Sequence, residues 1–280
     1  MGPRLLEILT RTLPTQQAVN ELRWIKQELP SDKWEEAVKQ RSQQRPLQYI
    51  LGTQPFGSLT IKCREGVLIP RAETEEWCTR LASCMDGRPH CTNVLDYCTG
   101  TGCIALSLAS QLSDLGQVVG SDFSQKAVEL ARENMAFNGQ ELLESRNEVG
   151  FENCDLSRLQ VPRSCGKFDL LVSNPPYIPK NDMNVSGGVE ESVLKYEPWS
   201  ALVGDLEFYH YLCSMIPVIG AKAFVFELGY RQQGMETRNL IPDSWKCGLG
   251  YDSAGHIRTV IGWCNQELDS LGDMVDEMLA

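Results

Sequence analysis

Apolar positions in the first fifty residues recur at helical intervals. Between residues 16 and 29 they fall at Ala18, Leu22, Ile25 and Leu29, with Thr15 as a candidate N-cap and Pro30 as the stop. The next helix is predicted to start at Ser31 or Asp32, to bury Trp34, Ala37 and Val38, and to end before Pro46. With the apolar segment at residues 5–9, these make a small N-terminal helical domain over residues 1–52, too small to be an enzyme by itself. The period then shortens. Residues 53–71 are predicted to form a linking β-hairpin, with strands at residues 58–63 and 67–69 and a turn at Arg64-Glu65-Gly66.

From about residue 72, short apolar runs alternate with helical stretches. The runs at residues 93–97, 117–121, 168–172, 223–227 and 257–262 suit buried strands. That alternation predicts an α/β fold over residues 72–264, a largely parallel sheet with helices on both faces. Residues 265–280 form an acidic C-terminal extension in which Leu268, Leu271, Val275, Met278 and Leu279 stand near helical spacing. A short helix packed on the sheet edge is expected there, in preference to a binding peptide. The polar, glycine-containing residues 179–189 are expected to form a mobile lid or partner-contacting loop. No internal repeat or low-complexity tract interrupts the chain.

The chemistry sits at two strand ends. The run at residues 168–172 is followed by Asn174-Pro175-Pro176-Tyr177, at the carboxyl edge of a sheet, where open α/β folds bind ligands. Pro175 and Pro176 have no N–H and a fixed φ, so the chain leaves the ladder there. The Asn174 side chain and the Pro175 carbonyl are then free to accept hydrogen bonds from a planar NH2 group, with the Tyr177 ring to stack on it. Pro-Pro alone would read as a structural turn; Asn before it and Tyr after it, at a strand end, reverse that reading. Such a pocket suits methylation of an amide or an exocyclic amine. The nitrogen lone pair is delocalised, and hydrogen bonds that strengthen as it pyramidalises lower the barrier.

Upstream, the strand 93–97 runs into Cys98-Thr99-Gly100-Thr101-Gly102 and then into a helix. Small residues let the backbone approach a ligand closely, and the helix start presents free N–H groups. Asp122, twenty-two positions after Gly100, closes the next strand and can accept both hydroxyls of a ribose. Gly100-x-Gly102-x-x-Ala105 also fits a dinucleotide fingerprint. Asp96 argues against that, because a carboxylate at the strand end repels phosphates but can hold an ammonium group. S-adenosyl-L-methionine carries such a group and no phosphate.

These segments resemble class I methyltransferases and, within them, the release factor glutamine methyltransferases of the PrmC/HemK type. Beyond Asn174 to Tyr177, the resemblance rests on Leu68-Ile69-Pro70-Arg71-Ala72-Glu73-Thr74-Glu75, on Arg45-Pro46-Leu47-Gln48-Tyr49-Ile50-Leu51-Gly52, and on Tyr196-Glu197-Pro198-Trp199-Ser200-Ala201-Leu202. It spans residues 15 to 263 or so. It implies a Rossmann-like sheet, S-adenosyl-L-methionine as cofactor, and as substrate the glutamine amide of a Gly-Gly-Gln tripeptide in a class I peptide-chain release factor. A ribosomal protein, an exocyclic amine of nucleic acid, and a non-enzymatic cofactor-binding accessory subunit are the alternatives.

By the same resemblance, Asp96, Cys98, Thr99, Gly100, Thr101, Gly102, Asp122, Asp155, Leu156 and Asn174 would contact the cofactor. Asn174, Pro175, Pro176, Tyr177 and Arg71 would hold the substrate, with Asn174, Pro175 and Tyr177 catalytic. The helical N-terminal domain would recognise the substrate. Cys98 stands where a glycine is usual, and Leu156 where a flat ring is common beside the adenine. The segments at residues 54–57 and 73–77 look like those of fungal mitochondrial members, which implies a mitochondrial location, with cytoplasm as the alternative.

Composition narrows this further. The net charge is −11, which tells against an independent nucleic-acid binder. It is unevenly spread: residues 1–52 carry +2 and the remainder −13. No run of apolar residues is long enough to span a membrane. Eleven cysteines, an odd number without Cys-x-x-Cys spacing, fit reduced thiols in small core spaces better than disulfides or zinc. His90, His210 and His256 form no ligand pair, so no metal is expected.

Overall fold

The N-terminal helices pair through one buried stripe each. In a computed structural model that describes residues 2–86, 93–113, 115–143, 145, 147–163 and 166–280, α1 (Gly2–Leu9), α2 (Thr15–Glu28), α3 (Trp34–Ser42) and α4 (Leu47–Leu51) close on a core of their own. Leu5, Leu9, Ala18, Leu22, Ile25, Ala37 and Val38 fill it. A 3-10 turn, Ser31–Lys33, precedes α3, and Trp34 is only half-buried. Beside this core the buried Arg41 donates to both carboxylate oxygens of Glu21, at 2.5 and 3.1 Å. His90, Cys91 and Cys165 lie outside the described residues.

The hairpin forms one strand earlier than the sequence suggested, so that the expected first strand is its second. Its strands are β1 (Thr53–Phe56) and β2 (Leu59–Lys62), joined by Gly57-Ser58 with Gly57 at φ 58°. A two-residue loop with glycine first is the tighter closure, and it leaves residues 67–69 out of the sheet. Those residues run extended instead. Val67 and Ile69 are buried, and the Val67 carbonyl accepts from Tyr49 Oη at 2.8 Å.

The remaining elements are α5 (Ala72–Met85), β3 (Asn93–Tyr97), α6 (Cys103–Gln111), β4 (Gln117–Asp122), α7 (Gln125–Phe137), α8 (Gly139–Leu143) and β5 (Glu148–Asn153). Then follow β6 (Leu170–Ser173), α9 (Glu191–Tyr196), α10 (Leu206–Ile219), β7 (Ala223–Glu227), α11 (Arg231–Leu240), β8 (Lys246–Tyr251), β9 (Ile257–Trp263) and β10 (Glu277–Met278). The sheet order is β10-β8-β9-β7-β6-β3-β4-β5. From β7 to β5 the strands are parallel, whereas β9, β8 and β10 join antiparallel. Successive strand residues face opposite sides, so Val94 and Val172 pack under α5, α6 and α7 while Leu95 and Leu171 pack under α10. This is a Rossmann-like α/β sheet with helices on both faces.

The chain leaves β3 toward β4 and β5, then returns to β6 and β7 on the other side. That reversal opens a crevice at the carboxyl ends of β3 and β6, the place where such sheets bind ligands. Residues 179–189 are not an open loop there. They fold into two 3-10 turns, Lys180–Asp182 and Val185–Gly187, and bury Met183 and Val189 against Leu202.

The C-terminal extension differs from a short α-helix. Gln266–Met274 is a 3-10 helix, and β10 adds an edge strand to β8. Leu268, Leu271 and Met274, all buried, recur every third residue, which is the 3-10 period.

Candidate active site

The chain reaches the crevice after β3 by a strained turn. Cys98 adopts φ 62°, Gly100 φ 55° and Gly102 φ 81°. A left-handed non-glycine residue costs about 1–2 kcal/mol, so Cys98 holds a conformation in which glycine would be unstrained. Burial pushes the Cys98 thiol well above its usual range. Gly102 has no alternative. A Cβ there would stand 2.9 Å from the Phe151 ring and 3.0 Å from Ala131 Cβ.

Two carboxylates hold this loop. Asp96, completely buried at the end of β3, accepts from Thr99 Oγ1 at 2.6 Å and from the Ala105 N–H at 3.3 Å. Its Oδ1 has no partner among the described residues. Burial pushes this carboxyl up to about 7, against the pull of the Thr99 and Ala105 hydrogen bonds. Asp122, at the end of β4, accepts from the Gly100 N–H at 3.0 Å and the Ser124 N–H at 2.8 Å. Its carboxyl is also raised by burial, opposed by those two N–H groups.

The third side comes from β6. Asn174 Nδ2 donates to Thr74 Oγ1 at 3.1 Å, while its Oδ1 takes no bond from the described residues. The Pro175 carbonyl is likewise without a donor among them. Thr74 Oγ1 donates to Glu227 Oε2 at 2.6 Å, and Trp77 Nε1 donates to the same oxygen at 2.8 Å. Tyr177 Oη donates to Glu227 Oε1 at 3.3 Å. Burial raises the Glu227 carboxyl, opposed by these donors and by Arg258. The Tyr177 ring lies over Gly229, where a Cβ would come within 2.9 Å of it. Gln233 Nε2 donates to the Tyr177 carbonyl at 2.8 Å.

These elements border a partly open cavity at the carboxyl ends of β3, β4 and β6. Of the residues the sequence singled out, Cys98, Thr99, Gly100, Thr101, Asp122, Asn174, Pro176 and Arg71 line it. Asp96, Gly102, Pro175 and Tyr177 stand behind that wall, buried or packed as described. Asp155 and Leu156 are placed elsewhere. Asp155 caps the 3-10 turn Leu156–Arg158, and Leu156 is buried in the core against the α10 face. Arg71 donates to Glu197 Oε1 at 2.7 Å, and Glu197 Oε2 also accepts the Ile69 N–H at 3.1 Å. That pair ties residues 69–71 to the chain that follows α9.

Three residues of the site escaped sequence reasoning. Phe123 lines the cavity and leaves 59% of its surface exposed, so it offers the flat ring sought at Leu156. Its position directly after Asp122 was the available signal. Glu227 closes a buried strand with an acid, the same signature that drew attention to Asp96. Thr74 lay inside the quoted Ile-Pro-Arg segment with no role attached.

The lining suits S-adenosylmethionine better than a phosphorylated ligand. Its acid, Asp122, and the orphaned Asp96 Oδ1 beneath the loop favour cations. Arg71, the single Lys or Arg in the lining, is already paired with Glu197. Among the described residues no three His, Cys, Asp or Glu are grouped to hold a metal, and no helix is long and apolar enough to cross a membrane.

A methyltransferase-domain family model matches residues 90–201. Over 94% of its length the chain is 38% identical to the mitochondrial MRF1 N(5)-glutamine methyltransferase MTQ1 of Saccharomyces cerevisiae, covering 84% of that protein. It is 32% identical to the probable Schizosaccharomyces pombe counterpart, covering 93% of this chain and 92% of that one. With the release factor glutamine methyltransferase of Vibrio cholerae it shares 37% identity over 80% of this chain and 76% of the other. Among solved structures, the human METTL16 catalytic domain superposes with a TM-score of 0.54 at 16% identity, covering 88% of this chain and 83% of that one, which is a likeness of fold.

Proposed function

The chain belongs to the release factor glutamine methyltransferases, and from that premise we propose that it methylates the side-chain amide nitrogen of the Gly-Gly-Gln glutamine in a class I peptide-chain release factor. The observation that carries this reading is that Asn174, which lines the cavity, and the Pro175 carbonyl just behind it offer two acceptors that take no donor among the described residues. A primary amide has two N–H bonds to give, and two fixed acceptors orient it. S-adenosylmethionine, when bound, supplies a methyl group on a positively charged sulfur, open to direct displacement.

Asp122 and the Gly100 to Gly102 turn would hold the nucleoside and methionine portions, with Phe123 against the base. Asn174 Oδ1 and the Pro175 carbonyl would take the amide hydrogens and hold the nitrogen lone pair on line. These hydrogen bonds strengthen as positive charge develops on nitrogen, so their energy appears in the transition state. Tyr177, held by Glu227 and Gly229, would act from behind Asn174 by fixing the turn. No covalent intermediate is needed.

The helical residues 1–52 would recognise the protein substrate. Their slight positive charge contrasts with the acidic remainder, and they are tied to it by Tyr49 Oη on the Val67 carbonyl and by Tyr196 Oη on the Gln43 carbonyl. A mitochondrial location is supported by the two fungal relatives named as mitochondrial enzymes. The test is methyl transfer from labelled S-adenosylmethionine to a mitochondrial release factor and to its Gly-Gly-Gln→Gly-Gly-Ala variant. Label on the first alone is expected. Equal label on both, or label only on a ribosomal protein, overturns the assignment.

A further inference from the structure

Which end of the Asn174 amide faces the substrate decides whether the pocket accepts or donates hydrogen bonds. That choice is made two residues away. Trp77 Nε1–H can only donate, and it gives its proton to Glu227 Oε2 at 2.8 Å. Glu227 Oε2 therefore serves as an acceptor, and the Thr74 hydroxyl, 2.6 Å away, donates to it as well. A hydroxyl has one proton. Once Thr74 Oγ1 has given it to Glu227, the oxygen can only accept, and what it accepts is Asn174 Nδ2–H at 3.1 Å. With the NH2 end committed to Thr74, Oδ1 is the end left for the cavity.

We propose that Glu227 and Thr74 are positioning residues that fix the polarity of the Asn174 amide, holding Oδ1 as the acceptor of the substrate nitrogen. The relay is buried. Glu227 and Thr74 are each 1% exposed, and they come from different elements, the end of β7 and the first turn of α5. The same carboxylate reaches Tyr177 through its other oxygen, so one buried acid sets both ends of the Asn174 to Tyr177 segment. If Thr74 could not accept, the Asn174 amide would be free to turn over and present N–H to an N–H, a repulsive contact in the place of an attractive one.

The inference rests on Asn174 being the amide-orienting residue, and the experiment separates the two. Turnover, KM for the release factor and cofactor affinity are measured for N174A, T74V, T74S and the double variant N174A/T74V. Val is isosteric with Thr but accepts nothing. T74V is expected to lose about tenfold in kcat, the scale of one oriented hydrogen bond, with KM and cofactor affinity little changed. T74S, which keeps the hydroxyl, is expected to recover most of that loss. In the N174A background T74V is expected to cost nothing further, because its effect runs through Asn174. An active N174A would remove the underlying assignment. An inactive N174A with a silent T74V, or with a T74V loss that adds in full to it, would overturn the relay alone. The melting temperature of T74V serves as the fold control, and a loss of cofactor binding in parallel with kcat would count against the proposal.

Discussion

Replacing Asp96 by Asn should change how stability depends on pH, and the magnitude follows from its burial. The carboxyl sits at about 7 in the folded chain against 3.8 when unperturbed. A folded-state pKa above the unfolded one means that the protonated acid is favoured on folding. Its contribution is therefore fully present below pH 3.8 and is lost as pH rises through about 7. At 1.36 kcal/mol per pKa unit, the loss amounts to about 3 kcal/mol between pH 5 and 8. Asn has no proton to lose. Its amide NH2, placed where Oδ1 finds no partner, would cost about 1–3 kcal/mol, but equally at every pH.

The assay is equilibrium urea unfolding of both proteins at pH 5, 6, 7 and 8. The stability of the parent chain relative to D96N should fall steadily across that series, so the variant gains on it toward high pH. Other carboxylates titrate in both proteins and cancel. A constant offset would refute the reasoning, since it would mean that Asp96 is ionised in the folded chain throughout the range.

Other perturbations bear on separate parts of the argument. N174A should reduce turnover by ~100-fold or more while calorimetry finds cofactor binding largely intact, and retention of over half the activity would end its proposed role. G102A forces a Cβ to 2.9 Å from the Phe151 ring at φ 81°, so denaturation should register a loss of about 2–3 kcal/mol, with weaker cofactor binding by titration. E21A leaves Arg41 buried without its partner, and thermal unfolding should report about 3–5 kcal/mol lost. G229A should displace the Tyr177 ring and lower kcat without changing cofactor affinity, which single-turnover assays can separate.

Much of the fold was legible because burial imposes a period. The α2 stripe of Ala18, Leu22 and Ile25 and the strands at β3, β4, β6, β7 and β9 follow from repeats of 3.6 and from unbroken apolar runs. The partner strand of the hairpin was misread because Val67-Leu68-Ile69 has the composition of a strand, while the closure was decided by Gly57 at φ 58°. β5 and β8 passed unnoticed. Glu148, Glu152 and Asn153 dilute the apolar signal of β5, which lies at the parallel end of the sheet. Gly248 and Gly250 dilute that of β8, and both need the space they leave, because a Cβ at either would meet a neighbouring segment.

The sequence by itself determined the chemistry of the site. Asn-Pro-Pro-Tyr at a strand end, a small-residue turn and an acid after the next strand are local, because each needs only its neighbours in the chain to take its shape. Tertiary structure decided which groups those motifs would face. Thr74 and Glu227 stand 153 positions apart and become hydrogen-bonded only when α5 packs against the end of β7. Asp155 and Leu156 follow β5 in sequence but are turned into a cap and a core, while Phe123 takes the cavity wall. A side chain's partner across the sheet depends on strand order and crossover. Those are set by the packing of the whole core, and no local pattern encodes them.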